Sequence, residues 1–132
     1  MVDERQVVGA VMRYIEGFAK SDSAALADLF AEEATIEDPV GSSALVGKAA
    51  IASFYERVVK NGAKLQLVGP VRVAGQHAAF AFESLVVYKG KPSKIDIIDV
   101  FRFDAAGKII AMQAYFGPSN IHEPDAAAMR EG

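Results

Sequence analysis

The sequence predicts an α+β fold in which helices from the first half pack on one face of a curved, mostly antiparallel sheet built by the second half. Three observations carry this. The first 60 or so residues hold apolar side chains at the 3.6-residue helical period. After Gly62 the pattern changes to alternating segments separated by short turns such as Gly69-Pro70, Gly75-Gln76 and Asp104-Ala105-Ala106-Gly107, and short turns join antiparallel neighbours. The two longest of these segments are apolar on both faces. At 132 residues the chain is expected to form one domain over 1–132 with a single core.

In chain order, Asp3 to Lys20 reads as a helix, with Val7, Val8, Val11, Met12, Ile15 and Phe18 on the helical period. Tyr14 falls on the same stripe, and a buried phenol needs a partner for its hydroxyl. Asp22 and Ser23 can cap a second helix, Ala24 to about Ala31. Ala34 to Asp38 reads as a short strand running into a turn. Gly41 to Gly47 is a loop. A third helix spans about Lys48 to Lys60, with Ile51, Phe54, Tyr55, Val58 and Val59 on its apolar side, and Asn61-Gly62 ends it as a left-handed cap would. Strands follow over Ala63–Val68, Val71–Ala74, Ala78–Tyr88, Ser93–Phe103 and Lys108–Phe116. From Pro118 onward the sequence assigns no element. In the strand from Ser93, Ile97, Asp99 and Phe101 share one face, and Ile98 and Val100 the other. A second subunit is the simplest cover for the face the helices leave bare, so a homodimer is expected.

Composition narrows the function classes. Hydrophobic residues make up 52% of the chain, against disorder. A net charge of −3 gives no electrostatic footprint for nucleic acid or an anionic membrane. No apolar run is long enough to cross a membrane as a helix, and Met1-Val2-Asp3-Glu4-Arg5 does not read as a signal peptide. The absence of cysteine excludes disulfides and thiolate metal sites and fits a cytoplasmic protein. His77 and His122 have no ligand spacing, so no metal site is expected. There is neither a glycine-rich phosphate loop nor a Gly-x-Ser-x-Gly elbow.

Two acids stand out. By alternation Asp38 shares the apolar face marked by Ile36, while Thr35 and Glu37 take the other. Pro39 disfavours a helical conformation at Asp38, and Gly41 lets the chain turn. An acid aimed inward at a strand end suits a general base. An Asp that merely opens a turn explains the same residues. Asp99 sits mid-strand, where Asp is depleted. On a concave, helix-covered face its carboxyl is desolvated, which raises its pKa, and a protonated carboxyl can donate a hydrogen bond. A bond to a buried polar group or a cross-strand pair explains it equally well. Phe54, Phe80, Phe82, Phe101, Met112 and Phe116 fall on apolar faces. With Ser84, Val86 and Ile97 they make the expected wall of a largely apolar cavity with few convergent polar groups.

Tyr14, Glu37-Asp38-Pro39-Val40-Gly41, Ala52-Ser53-Phe54-Tyr55, Ala79-Phe80-Ala81-Phe82, Ile98-Asp99-Val100-Phe101-Arg102-Phe103, Met112-Gln113-Ala114-Tyr115-Phe116 and Asn120-Ile121-His122 occur in the order and spacing of bacterial ketosteroid isomerase. The chain resembles that family to about residue 122. The resemblance implies a cone-shaped barrel of the nuclear-transport-factor-2-like (SnoaL-like) type, in a homodimer. It implies Asp38 as the base, Tyr14 and a protonated Asp99 as an oxyanion hole, and Tyr55 as the partner of Tyr14. It implies a steroid ketone substrate and no cofactor. Phe30 replaces a tyrosine, and Phe116 a tryptophan, found in one branch of the family, and the tail beyond His122 is longer than in the branch this chain otherwise resembles.

The chemistry of the residues agrees with that implication. Moving a double bond into conjugation with a ketone needs one base that removes a proton beside the carbonyl and returns it two carbons away. The intermediate dienolate carries its charge on oxygen, where two neutral donors in dry surroundings stabilise it. The expected function is conversion of 3-oxo-Δ5-steroids to 3-oxo-Δ4-steroids. A polyketide cyclase or dehydratase on the same fold, and a non-catalytic module for apolar ligands, are the alternatives, because a shared fold does not fix function.

Overall fold

The structure, a computed structural model, describes residues 2–123. The first helix, α1 (Glu4–Ala19), starts at a capping box in which Asp3 and Gln6 exchange side-chain to backbone hydrogen bonds of 2.8 and 2.9 Å. This satisfies two of the amide donors that every helix start leaves free. Its other end is held by Lys64, whose ammonium donates to the Phe18 and Ala19 carbonyls and to Ser21 Oγ at 2.9, 3.2 and 2.9 Å. A cation at a helix C-terminus is also favoured by the helix dipole. The next helix, α2 (Ser23–Asp28), lies close against α1: a Cβ on Gly17 would stand 2.7 Å from Leu26 Cδ2, so the contact requires glycine there.

The chain continues as β1 (Phe30–Glu37), β2 (Leu45–Val46), α3 (Lys48–Lys60), β3 (Lys64–Leu67), β4 (Arg72–Ala74), β5 (His77–Tyr88), β6 (Lys91–Phe103), β7 (Ile109–Tyr115), a 3-10 turn over Pro118–Asn120, and β8 (Ile121–His122). The sheet runs β2-β1-β7-β6-β5-β3, with β4 beside β5 and β8 beside β6. Every pairing is antiparallel except β1 with β7. The α+β class and the three helices are as the sequence predicts, but the sheet is open, with edges at β2 and β3, and not a closed barrel.

Three local expectations are corrected. The second helix stops at Asp28 instead of Ala31 because Phe30, fully buried, is drawn into the sheet opposite Ile109, and the Ile109 amide donates to the Leu29 carbonyl at 2.9 Å. The segment Gly41–Gly47 is not all loop, since Leu45 and Val46 pair with Ile36 and Thr35. The chain after Pro118 carries a turn and a strand, β8, which pairs Ile121 and His122 with Ile95 and Lys94. The remainder of the tail, from 124, lies outside the described residues.

The core lies between the helices and one face of the sheet and includes Val7, Val11, Phe30, Ile51, Tyr55, Phe80, Phe101 and Met112. Along β5 and β6 the inward residues alternate with outward ones, the strand period of two. The outward face presents Val68, Ile98 and Tyr115, each 45–48% exposed. On that face Glu83 and Asp96 are directly opposed across β5 and β6, where like charges destabilise. Each has a partner: the Lys94 ammonium lies 3.6 Å from Glu83, and His122 Nε2 lies 2.9 Å from Asp96 Oδ2.

Candidate active site

The helical period turns Tyr14 inward from α1 and Tyr55 inward from α3. Their hydroxyls meet at 3.0 Å, and both side chains are almost wholly buried. The Tyr14 ring is edge-on to Phe18, Tyr55, Phe80 and Phe101 with centroids 5.0–6.1 Å apart. Such contacts contribute about 0.5–1.5 kcal/mol each beyond area burial, so the phenol is fixed in place. Asp99 enters the same space from the middle of β6 and is 1% exposed. Its Oδ2 is enclosed and has no hydrogen-bond partner among the described residues.

Asp38 follows the last residue of β1, and the Asp38–Pro39 peptide is cis. The turn around it is braced. Glu37, on the outer side, accepts from the Gly41 amide at 3.0 Å and from Gln113 Nε2 at 3.3 Å. The Val40 amide donates to the Ala114 carbonyl of β7 at 2.8 Å, and Ser42 Oγ donates to the Pro39 carbonyl at 2.6 Å. The carboxyl itself makes no side-chain hydrogen bond among the described residues and opens onto a cavity.

That cavity collects Tyr14, Asp38, Tyr55 and Asp99 in one lining, with Phe54, Phe82, Ser84 and Ile97 of the expected wall. Counted together with open solvent at its mouth, the empty space there is about 340 Å³. Four further residues, Phe18, Val58, Ala63 and Leu65, belong to the lining although the sequence did not single them out for it. A signal was there for two of them: Phe18 is one helical turn beyond Tyr14, and Val58 one turn beyond Phe54. The other proposed wall residues lie elsewhere. Phe101 and Met112 are buried behind the lining, with Phe101 supporting Tyr14. Val86 packs against the core, and Phe116 stacks edge-on with Tyr88 at 6.0 Å. His77 is exposed on β5. No group of three metal-ligating side chains occurs among the described residues, nor is any described helix long and apolar enough to cross a membrane.

Electrostatics divide the polar groups into two kinds. Burial lifts the Asp38 carboxyl to about 6, so that it is mostly ionised at neutral pH yet a much better proton acceptor than an ordinary carboxylate. Burial pushes Asp99 well above the usual carboxyl range, and the nearby Asp38 charge adds to the effect, while the Tyr14 hydroxyl works against it. Tyr14 and Tyr55 are likewise pushed well above the usual phenol range, first by desolvation. Both carboxyls in the cavity thus hold a proton more readily than an exposed carboxylate does, because burial disfavours the charged form.

Comparison with known proteins identifies the family of the chain. Residues 11–112 match the model of the SnoaL-like domain. A steroid Delta-isomerase of Nocardioides simplex is 38% identical over 116 residues, covering 88% of this chain and 94% of that one. Among solved structures, that of SalBIII, an epoxide hydrolase/cyclase-like enzyme described for pyran ring formation in the polyether salinomycin, superposes with a TM-score of 0.87 at 28% identity. The superposition covers 94% of this chain and 100% of that one. The chain belongs to the SnoaL-like, nuclear-transport-factor-2-like domain family.

Proposed function

We propose that the protein is a cofactor-independent steroid Delta-isomerase that converts 3-oxo-Δ5-steroids to their conjugated Δ4 isomers. One observation carries the reading: an acceptor carboxyl, Asp38, and two high-pKa donors, Tyr14 and Asp99, line a single, otherwise largely apolar cavity. Asp38 removes the proton from the carbon between the ketone and the double bond. The electron pair moves onto the carbonyl oxygen, where Tyr14 and protonated Asp99 donate hydrogen bonds to the dienolate. Asp38 then delivers the same proton to the far end of the diene, so no atom or electron is gained or lost. Tyr55 bonds to Tyr14 and positions it. The 38% identical steroid Delta-isomerase supports the same reading.

The test is absorbance. A Δ5-3-ketosteroid has an isolated double bond, and its product has a conjugated enone with a new ultraviolet band. Growth of that band with catalytic amounts of protein is the expected result. Binding of the ketone without band growth would instead identify a non-catalytic ligand module. A cyclase acting on a polyketide is the second reading, favoured by the SalBIII superposition. The same acid and base would serve ring closure, and that reading predicts no band with a steroid.

The outward sheet face around Val68, Ile98 and Tyr115 is proposed as a homodimer interface, since it exposes apolar side chains on paired strands and an adjoining strand end. Sedimentation at micromolar concentration should give the mass of two chains, and Ile98→Glu should shift it to one. A monomer in the parent protein would sink this arrangement.

A further inference from the structure

The cavity contains one more polar group, which the acid–base chemistry does not use. Ser84 is 4% exposed and sits in the lining. The other buried serine, Ser93, donates to the Lys91 carbonyl at 3.0 Å. Ser84 makes no side-chain hydrogen bond to another described residue. Its hydroxyl is not sealed in either, because Asp99 Oδ2 is the one fully enclosed side-chain polar atom without a partner among the described residues. The Ser84 hydroxyl therefore opens onto the cavity.

Its place along the sheet gives this meaning. Phe80, Phe82 and Ser84 project from the same face of β5, and opposite them on β6 stand Asp99, Ile97 and Ile95. Four residues of strand separate Ser84 from the level of Asp99, roughly 13 Å at ~3.3 Å per residue. Midway lie Phe82 and Ile97, paired and apolar, both in the lining. On the other side of Ser84, Leu65 of β3 continues the apolar wall. The cavity thus has a polar end at Tyr14 and Asp99, an apolar middle, and a hydroxyl at the far end. A flat fused-ring ketone seated with its carbonyl at Tyr14 and Asp99 and its length along β5 brings its last ring to Ser84.

We infer that Ser84 is a specificity-determining residue that hydrogen-bonds an oxygen on the ring farthest from the reacting ketone, so the preferred substrates are ketosteroids oxygenated at both ends. A hydroxyl both donates and accepts, so a far-ring ketone and a far-ring alcohol are both served. This rests on the isomerase reading. The bond forms far from the reacting atoms and is made equally in ground and transition states. Its loss therefore falls on KM and leaves kcat.

The experiment compares two substrates that differ only in the far oxygen, 5-androstene-3,17-dione and 5-androsten-3-one, with parent, Ser84→Ala and Ser84→Val proteins. Calorimetric binding of the matching Δ4 products is measured alongside. Both variants should raise KM and Kd for the dioxygenated steroid by roughly 3- to 10-fold, the size of one net hydrogen bond. Both should move the values for the deoxy steroid far less, and Ser84→Val, with its apolar wall, should tilt preference toward it. Equal losses for both steroids, or none for either, in variants that keep their melting temperature would overturn the assignment while leaving the isomerase reading intact. If the parent protein neither bound nor turned over either steroid, the isomerase reading would fall and this inference with it.

Discussion

Asp38→Asn should fold as the parent does and lose about 10²-fold or more of kcat, the usual loss for a removed general base. The substitution preserves shape and the braced turn around Gly41, so the loss isolates proton transfer. In the parent, kcat/KM should rise with pH through about 6 and then level, because the base works only when ionised and burial has raised its carboxyl to about 6. Below that point activity should drop tenfold per pH unit. The same shift bears on stability. A carboxyl whose folded pKa exceeds its unfolded one favours the fold fully below the unfolded value, and this contribution is lost as pH rises through the folded value. Between about pH 4 and 6 the parent should therefore lose on the order of 2–3 kcal/mol through Asp38, and Asp38→Asn should not. A kcat/KM profile with no limb near 6, or near-parent turnover in the folded Asn variant, removes Asp38 from the mechanism.

Tyr14→Phe and Asp99→Ala should each cost on the order of 10²–10³ in kcat, as loss of one oxyanion-hole donor does, with much smaller changes in ground-state steroid affinity. Asp99→Asn keeps a donor and should retain more activity than Asp99→Ala. If Asp99 were ionised it would repel the developing oxyanion, so the order Asn above Ala is the diagnostic. Stability supplies an independent reading. In the parent, folding takes up a proton at Asp99 wherever the pH lies between its unfolded and folded values, because the unfolded chain has an ordinary carboxyl and burial holds the folded one well above that range. This costs about 1.4 kcal/mol for each pH unit above the unfolded value until the folded pKa is reached. Asp99→Asn should accordingly gain on the parent as pH rises from about 4 to 7, and lose that gain in acid. Denaturant unfolding across that range measures it. A parent and an Asn variant with parallel pH curves would return Asp99 to a purely structural role.

Much of this arrangement was legible because strand alternation and helical period each fix the side on which a residue stands. Ile36 marked the face of Asp38, Ile97 and Phe101 that of Asp99, and Val11 with Phe18 that of Tyr14. What periodicity does not fix is depth. Phe101 and Met112 share a face with lining residues, yet both are buried behind the wall, whereas Ala63 and Leu65 reach it. Nor does local pattern show which distant strand will be a neighbour. The end of the second helix at Asp28 was misplaced because Phe30 is claimed by Ile109, 79 positions away, a tertiary contact that outweighs helix propensity. The parallel pairing of β1 with β7 was invisible for the same reason, since no short turn announces it.

That parallel pairing governs when the site can exist. Asp38 leaves the ribosome early, just after β1, but the strand that seats β1 in the sheet is β7, the last long one made. Ala114 takes the amide beside the base turn, and Gln113 holds the carboxyl of Glu37. Until Ile109–Tyr115 has been synthesised and has docked, Asp38 has no fixed relation to Tyr14 or Asp99, although all three are already in the chain. Contacts across so much sequence close late and slowly. The nascent chain therefore carries these three side chains unassembled, and β7, which contributes no residue to the cavity lining, is the strand that completes their arrangement.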